Sequence, residues 1–465
     1  MFHRLRIKNF KLWEDTRDIR MAPITLFFGT NSSGKSSIGQ FLMLLKQTIE
    51  SSDRSIVLNP GGKNTAVQLG SYKEMVLHRA AERRIEFGYT WDLIPELKFN
   101  NILDGSKFEG DQMTFSAVAG MTPPPNEKLF VGNLAYGLLS SQKEIMSIWM
   151  NRKNTGNDEY KVASSLYELK RKQMRVWPIR TPVRFYGFPD EVVAYYQNAD
   201  FVQLLNLAQE RLFQKVFYLG PLRTKTERIY SWAGVAPDHV GYSGDNTVAA
   251  MIAAKSRKLS VRIKAGRMSF EEVIASKLLE MGLVEEIKLQ RISEKRDDYE
   301  IKVRTPGSKV FVDLPDVGVG ISQVLPVLVQ CFYAPANSII ILEQPEIHLH
   351  PKAQVTLADV LIDVVNSREN GQPRNVQLIV ETHSEHFLRR LQRRVAENGK
   401  EKQIDQNSVA AYFASTNKGK PVLEPLQIDE YGNIKNWPGH FFGDEMGEVL
   451  AQTKAAMERR RSKKQ

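Results

Sequence analysis

The 465-residue sequence lacks the features of an exported or membrane-embedded protein. It contains a single cysteine, Cys331, which excludes an internal disulfide and a multi-cysteine metal site. No apolar run approaches the ~20 residues that cross a bilayer, and the first ten residues lack the continuous apolar segment of a secretion signal. We therefore expect a soluble, cytoplasmic protein without membrane partners, in which Cys331 is a buried small hydrophobic residue.

The composition is that of an ordinary globular protein, with 42% hydrophobic and 25% charged residues. The length suggests roughly two to three domain-sized units. The formal net charge is +11, and part of the excess lies in the basic tail at residues 459–464. Positive charge favours contact with a polyanion, but many basic proteins bind none, so nucleic acid stays open as a partner.

Residues 29–36, GTNSSGKS, fit the complete phosphate-loop (P-loop) pattern G-x-x-x-x-G-K-[ST]. The loop follows a strand-like apolar segment, Ile24–Phe28, and precedes an apolar-periodic segment, Ile38–Ile49, predicted to be a helix. In this context the loop's backbone N–H groups bind phosphates, the lysine neutralises the outer phosphates and the serine ligates Mg²⁺. The sequence thus predicts a site for ATP and Mg²⁺, with phosphate-loop contacts from Gly29, Asn31, Ser32, Ser33, Gly34, Lys35, Ser36 and Ser37.

A second part of the site lies about three hundred residues downstream, where the apolar run Ser338–Leu342 ends in Glu343. An acid in this position places a carboxylate beside the Mg²⁺ of a P-loop. The segments Ala353–Val365 and Val376–Val380 read as a helix and a further strand, which indicates a sheet flanked by helices. Val216–Leu219 is a further strand candidate, and Tyr299–Val303 with Val310–Leu314 forms a predicted hairpin.

The pattern of apolar segments that indicates strands and helices weakens between these two parts of the sequence, and we divide the chain accordingly. Residues 1–99 are the first half of an ATPase core, 100–215 an insertion of unassigned role, 216–425 the second half and 426–465 a C-terminal extension with the basic tail. Within the insertion, prolines at 123–125 and residues 151–158 predict loops, and Tyr167–Arg175 is a basic helix candidate.

Several segments together resemble a known family. Leu342–Pro351 (LEQPEIHLHP) followed by residues 380–385 (VETHSE) resembles the second half of ABC/SMC-like ATPases of the RecF and OLD type. With residues 218–223 (YLGPLR), 316–326 (DVGVGISQVLP), 436–438 (NWP) and 441–442 (FF), the chain resembles a prokaryotic AAA-like ATPase family whose C-terminal piece is a domain of unknown function. The resemblance implies an α/β, ABC/SMC-head-like P-loop fold, with a central sheet flanked by helices, a second strand-rich lobe and an inserted segment.

The resemblance also implies that two subunits complete each other's sites. Residues 318–323 (GVGISQ) are similar to a degenerate signature segment, in which Gly318, Gly320 and Ser322 would cover the γ-phosphate held by the other subunit. A plain glycine turn before a core helix is the alternative. Gln68 occupies a Q-loop position, although an exposed strand glutamine is an equally good interpretation.

Three histidines fall in these segments. The resemblance makes His383 the switch histidine that senses the γ-phosphate and places His348 and His350 in the D-loop at the dimer seam. A zinc site built from the three histidines is disfavoured, because a convincing additional ligand set is missing.

One departure from the family pattern bears on mechanism. The usual Asp-Glu pair of Mg²⁺-supporting acid and catalytic base reads Glu343-Gln344 here. Glutamine orients water but cannot accept its proton, so either Glu343 or Glu346 takes the role of base or turnover is slow. We favour slow turnover with Glu343 as the principal acid.

The resemblance implies an ATP-dependent switch that forms a homodimer or higher homo-oligomer. Such proteins belong to prokaryotic anti-phage defence or toxin modules, beside an effector partner such as a nuclease. The alternative is a RecF-like DNA-binding ATPase in DNA repair or maintenance that uses the basic segments Lys170–Arg175 and Arg389–Arg394. An energy-coupling subunit of a membrane transporter fits less well, because of the insertion and the degenerate signature.

Overall fold

The computed structural model describes most of the chain. The described residues are 1–80, 82–153, 158–173, 177–261, 266–293, 296–397, 404–417, 419–438, 451–457 and 459. Residues 154–157 of the predicted loop at 151–158, most of the basic tail, and Phe441 and Phe442 lie outside them. Residues 151–152 belong to a strand, so the loop prediction is wrong for these two residues. No helix of the described residues is both long enough and apolar enough to cross a membrane.

Helices in this part of the chain are short to medium in length. They are α1 (Lys35–Ile49), α2 (Tyr72–Met75), α3 (Asp190–Tyr195), α4 (Val202–Gln214), α5 (Thr247–Ala253), α6 (Phe270–Glu280), α7 (Val319–Tyr333), α8 (Pro351–Asn366) and α9 (Glu385–Ala396). Residues 451–457 are helical as well, and 3₁₀ turns cover Leu77–Arg79, Leu314–Asp316 and Gln406–Ser408.

The strands up to residue 219 include the longest ones. They are β1 (Phe2–Phe10), β2 (Trp13–Asp15), β3 (Ile19–Arg20), β4 (Ile24–Gly29), β5 (Ile85–Asn100), β6 (Lys107–Met121), β7 (Leu129–Ser140), β8 (Lys143–Arg152), β9 (Tyr160–Ser165) and β10 (Val216–Leu219).

The later strands are mostly short. They are β11 (Tyr230–Ser231), β12 (Lys258–Ser260), β13 (Met268–Ser269), β14 (Glu286–Ser293), β15 (Arg296–Arg304), β16 (Val312–Asp313), β17 (Ile339–Glu343), β18 (Arg368–Glu369), β19 (Gln372–Pro373), β20 (Gln377–Glu381), β21 (Val409–Asn417) and β22 (Lys420–Leu426).

A six-stranded sheet in the order β10-β17-β20-β4-β21-β22 positions the predicted site. The first five strands run parallel and only β22 is antiparallel. All residues of β10, β17 and β20 are buried, as expected for parallel strands covered by helices on both faces. The strands and helices predicted around the P-loop and around Glu343 are confirmed.

An antiparallel sheet in the order β2-β1-β5-β6-β7-β8-β9, with β3 beside β1, forms the strand-rich lobe. Residues 85–93 of β5 alternate between buried and half-buried positions, so that one face of the strand joins the core. Strands β6 to β9 lie inside the stretch where the sequence pattern weakened, and sequence analysis did not predict them. The boundaries of the proposed insertion remain a prediction.

Two local predictions had opposite outcomes. The hairpin is confirmed, because β15 and β16 pair antiparallel through Lys302 and Val303. The helix expected at Tyr167–Arg175 is wrong for residues 167–173, which form no helix. Those residues carry basic side chains at the surface, and charge alone is a weak helix signal.

The C-terminal segment adds β21 to the central sheet and then returns to helix α9. The ring of Trp437 lies 4.4 Å from the guanidinium of Arg389, and the Gln392 side-chain amide donates to the Gly432 carbonyl at 2.8 Å.

Cys331 is fully buried, as predicted, and burial raises the pKa of its thiol to about 12.

Candidate nucleotide site

The P-loop leaves the sheet at Gly29 and enters α1 at Lys35. Gly29 has φ +142°, and a Cβ there would lie 2.0 Å from the carbonyl oxygen of Ala414 on β21. Gly34 also has positive φ, at +92°, and a Cβ there would lie 3.1 Å from the ring of Trp13. Both positions of the motif therefore need glycine for backbone conformation and for space.

Trp13 holds the end of the loop, a role that sequence analysis missed. Its indole Nε1–H donates to the Gly34 carbonyl at 3.1 Å and to the Ser37 hydroxyl at 2.8 Å. The ring is 1% exposed. No motif marks this tryptophan, because it reaches the loop only when β2 pairs with β1.

Lys35 lies across the loop that precedes it. Its ammonium donates to the backbone carbonyls of Gly29 at 3.1 Å and Thr30 at 2.7 Å. Burial lowers the pKa of Lys35, while the nearby Glu381 carboxylate raises it. The ammonium is therefore held where a P-loop lysine meets the outer phosphates.

Two glutamates end adjacent parallel strands. Glu343 of β17 and Glu381 of β20 are register partners, and both are buried. Burial raises the pKa of Glu343 to about 7, and the Glu381 charge adds to the increase. The pKa of Glu381 is also raised, and burial is the largest cause. The Ser36 hydroxyl donates a hydrogen bond to Glu381 Oε1 at 2.9 Å, which lowers the pKa of Glu381 in part.

Sequence analysis quoted Glu381 within the VETHSE segment but did not assign it to the site. A signal was available, because Glu381 ends a buried apolar strand in the same way as Glu343 does. What the linear sequence does not reveal is that the two strands are neighbours in the sheet.

Glu346 and His383 are brought together beside this pair. The backbone N–H of His383 donates to Glu346 Oε1 at 2.8 Å. Glu346 is buried, and burial raises its pKa. Partial burial lowers the pKa of His383, and the nearby charge of Lys35 adds to that effect.

Gln344 and Arg223 surround the end of β17. Gln344 takes a left-handed conformation, φ +47°, and its N–H donates to the Glu381 carbonyl at 2.8 Å. Arg223, in the YLGPLR segment, reaches the Glu343 carbonyl at 3.4 Å, and burial lowers its pKa to about 10.

The predicted signature segment begins a helix. Gly318 is the N-cap residue of α7, and a Cβ there would meet nothing within 4 Å. A Cβ on Gly320 would lie 3.2 Å from the His348 carbonyl, so the segments predicted to be the signature and the D-loop are close to each other within one subunit. Ser322 is half-buried, and its hydroxyl donates to the Val319 carbonyl at 2.8 Å.

Of the remaining predicted residues, Ser33 is buried in the P-loop, whereas Asn31, Ser32, Gln68, His348 and His350 lie at the surface. Gln68 is exposed in a loop between buried Val67 and Leu69, not in a strand. His348 and His350 are exposed, and His350 Nδ1 accepts from the Lys352 N–H at the start of α8. Among the described residues, no cluster of three or more His, Cys, Asp or Glu residues is placed to hold a metal.

The side chains at the strand ends nevertheless suit a nucleotide-bound Mg²⁺. Glu343 Oε1 and Glu381 Oε2 are buried without a hydrogen-bond partner among the described residues, and with the Ser36 hydroxyl they form an all-oxygen donor set. Mg²⁺ takes one or two protein carboxylates and completes its shell with phosphate oxygens and water. When bound, the ion would neutralise charge on the outer phosphates.

The sequence matches two protein families. The AAA ATPase domain family matches residues 1–174 and 249–388, which is more than half of the chain. The protein therefore belongs to this family of P-loop ATPases, and membership implies nucleotide binding. A second family, described as a protein of unknown function (DUF3696), matches residues 404–452. The two matches confirm the resemblance inferred from the motifs.

Solved structures of SMC head domains are similar at low sequence identity. One, an SMC head bound to the C-winged helix domain of ScpA, has 13% identity and a TM-score of 0.42 and covers 92% of this chain and 98% of its own. The SMC head domain from Thermotoga maritima has 11% identity and a TM-score of 0.39, with 92% and 99% covered. An SMC head derived from Pyrococcus furiosus, bound to the C-terminal domain of ScpA, has 10% identity and a TM-score of 0.40, with 97% and 99% covered. No curated protein matches the chain.

Proposed function

We propose that the protein binds Mg-ATP at this site, hydrolyses it slowly and uses the bound nucleotide to join two subunits. The observation that carries the proposal is the meeting of the P-loop residues Lys35 and Ser36 with the carboxylates of Glu343 and Glu381 at one sheet edge. An ammonium, a hydroxyl and two carboxylates around a loop of backbone N–H groups are the chemistry of a Mg-nucleotide site.

Slow turnover is supported by the groups available as base. Gln344 replaces the expected carboxylate and cannot take a proton from water. One oxygen of Glu346 accepts a hydrogen bond from the His383 N–H, whereas Oε2 is buried without a partner among the described residues, so Glu346 stays the alternative base. Glu343 has a raised pKa and is the remaining acid on β17, so we assign it as the principal acid.

Dimerisation is supported by the open start of α7. Val319 is 53% exposed and Gly318 has free space around it. An exposed helix start with glycine offers N–H groups to an anion supplied by another molecule. A second subunit that presents its γ-phosphate would satisfy these groups, and the D-loop around His348 would lie at the same seam.

The biological setting of the proposal rests on the motif resemblance alone. We place this cytoplasmic switch in a prokaryotic anti-phage defence or toxin module, where an effector partner such as a nuclease reads the ATP-dependent assembly. Genomic neighbours that encode an effector in most relatives would support this setting.

The DNA-binding alternative loses support at Arg389–Arg394. Arg389 pairs with Glu385 and Arg393 with Glu397, while Arg390 and Arg394 both bind Asp359. Arginines whose charge is compensated within the chain attract phosphates less strongly. Salt-sensitive DNA binding that raises ATPase activity would restore the alternative.

The test is the solution mass by light scattering, with and without Mg-ATP, together with phosphate release. Wild type should assemble with ATP and release phosphate slowly. Lys35→Ala should neither assemble nor release phosphate. Lys73→Ala is the matched control, because it removes an exposed lysine paired with Glu127. Rapid phosphate release at constant mass would refute the switch, and ATP turnover by Lys35→Ala would refute the site.

A further inference from the structure

The sheet edge at the P-loop carries a second carboxylate, Glu381, to which the motif analysis assigned no role. Strand β17 supplies Glu343, but the next residue is Gln344, so this strand contributes one acid to the edge. The neighbouring strand β20 ends in Glu381 at the register position of Glu343. Two adjacent strands therefore each end in a carboxylate beside the P-loop.

The distance between Ser36 and Glu381 matches that of two ligands on one ion. Ser36 Oγ lies 2.9 Å from Glu381 Oε1. Mg²⁺ holds its ligands at 2.0–2.1 Å in an octahedron, so neighbouring ligand oxygens lie about 2.9 Å apart. The hydrogen bond therefore holds the Glu381 carboxylate within the distance of a neighbouring ligand from the serine hydroxyl, and this serine is the P-loop residue whose hydroxyl contacts Mg²⁺.

The free oxygens of the two glutamates support the same interpretation. Glu381 Oε2 and Glu343 Oε1 are buried, and neither has a hydrogen-bond partner in the described part of the chain. A buried acceptor without a partner is costly. The ammonium of Lys35 interacts with the Glu381 charge but donates its hydrogen bonds to carbonyls of the loop. A divalent cation between the strand ends would satisfy both oxygens.

The backbone around Glu381 is fixed from both sides. Its carbonyl accepts from the Gln344 N–H at 2.8 Å, and its strand pairs with β17 on one side and β4 on the other. A ligand on such a rigid element keeps its distance to the P-loop without a change of the main chain.

We propose that Glu381 is a direct ligand of the divalent cation that accompanies the nucleotide, beside Ser36 and Glu343. The inference rests on the proposed binding of Mg-ATP. In this arrangement β17 and β20 each supply one carboxylate to the cation, and Gln344 still replaces the catalytic base of the family pattern.

The experiment titrates Mn²⁺ into the full-length protein–ADP complex and follows free Mn²⁺ by electron paramagnetic resonance. Glu381→Gln and Glu343→Gln should each raise the Kd for Mn²⁺ by about tenfold or more. Glu385→Gln is the matched control, because it removes a carboxylate at the start of α9 that pairs with Arg389. This control should leave the Kd unchanged.

Binding of a fluorescent ADP in EDTA is measured in parallel, because it reports the P-loop without the metal and verifies folding. Glu381→Gln should retain the wild-type affinity there. If it also retains the wild-type Kd for Mn²⁺, Glu381 only accepts a hydrogen bond from Ser36 and the inference is overturned, even if hydrolysis is lost. If wild type binds ADP neither in EDTA nor with Mn²⁺, the proposed function and the inference both fail.

Discussion

The raised pKa of Glu343 predicts that the nucleotide site costs the protein stability at neutral pH. Burial raises this pKa from 4.5 to about 7 in the folded chain. The folded state then binds the proton more tightly than the unfolded state, so stability falls as pH rises from 4.5 through 7 and stays lower above it. A pKa difference of this size corresponds to about 3 kcal/mol at pH 8.

Glu343→Gln should remove this loss, because the amide carries no charge to bury. In EDTA and without nucleotide, the variant should be more stable than wild type by up to about 3 kcal/mol at pH 8 and equally stable at pH 4. For a chain of this length that is a rise of about 3 °C in the melting temperature. Thermal unfolding from pH 4 to 8 measures the difference, and parallel profiles of variant and wild type would refute the reasoning. Glu385→Gln again controls for loss of a carboxylate elsewhere.

Two substitutions test the structure that supports the site. In urea unfolding, Gly29→Ala should destabilise the protein by about 3 kcal/mol or more, because of the positive φ and the overlap with the Ala414 carbonyl. Gly282→Ala is the control, and it should destabilise the protein less because Gly282 has φ +69° but open space around it. Lys277→Met should cost about 3–5 kcal/mol, because it leaves Asp363 buried without the ammonium 2.8 Å away. Adding Asp363→Leu should recover most of that loss, and a double variant no more stable than the single one would contradict this explanation.

The central sheet could largely be predicted from the sequence, and the antiparallel lobe could not. Strands β4, β10, β17 and β20 are short apolar runs, and the P-loop motif and the apolar-periodic segment after it marked β4 and α1. Strands β21 and β22 of the same sheet were not predicted, and β22 carries several polar and exposed residues. The long strands β6 to β9 contain polar and half-buried positions that obscure their alternation. They become strands because each pairs with a neighbour, which is information that a single segment does not contain.

The amino-acid sequence by itself determined the phosphate chemistry, because all residues of the P-loop are contiguous and their spacing is sufficient to recognise it. Only the tertiary structure decided which side chains complete the site. Trp13 meets the loop because β2 pairs with β1, and Glu381 joins the predicted Glu343 beside the loop because β20 lies between β17 and β4. Their burial, and with it the raised pKa of Glu343, follows from the packing of the whole sheet.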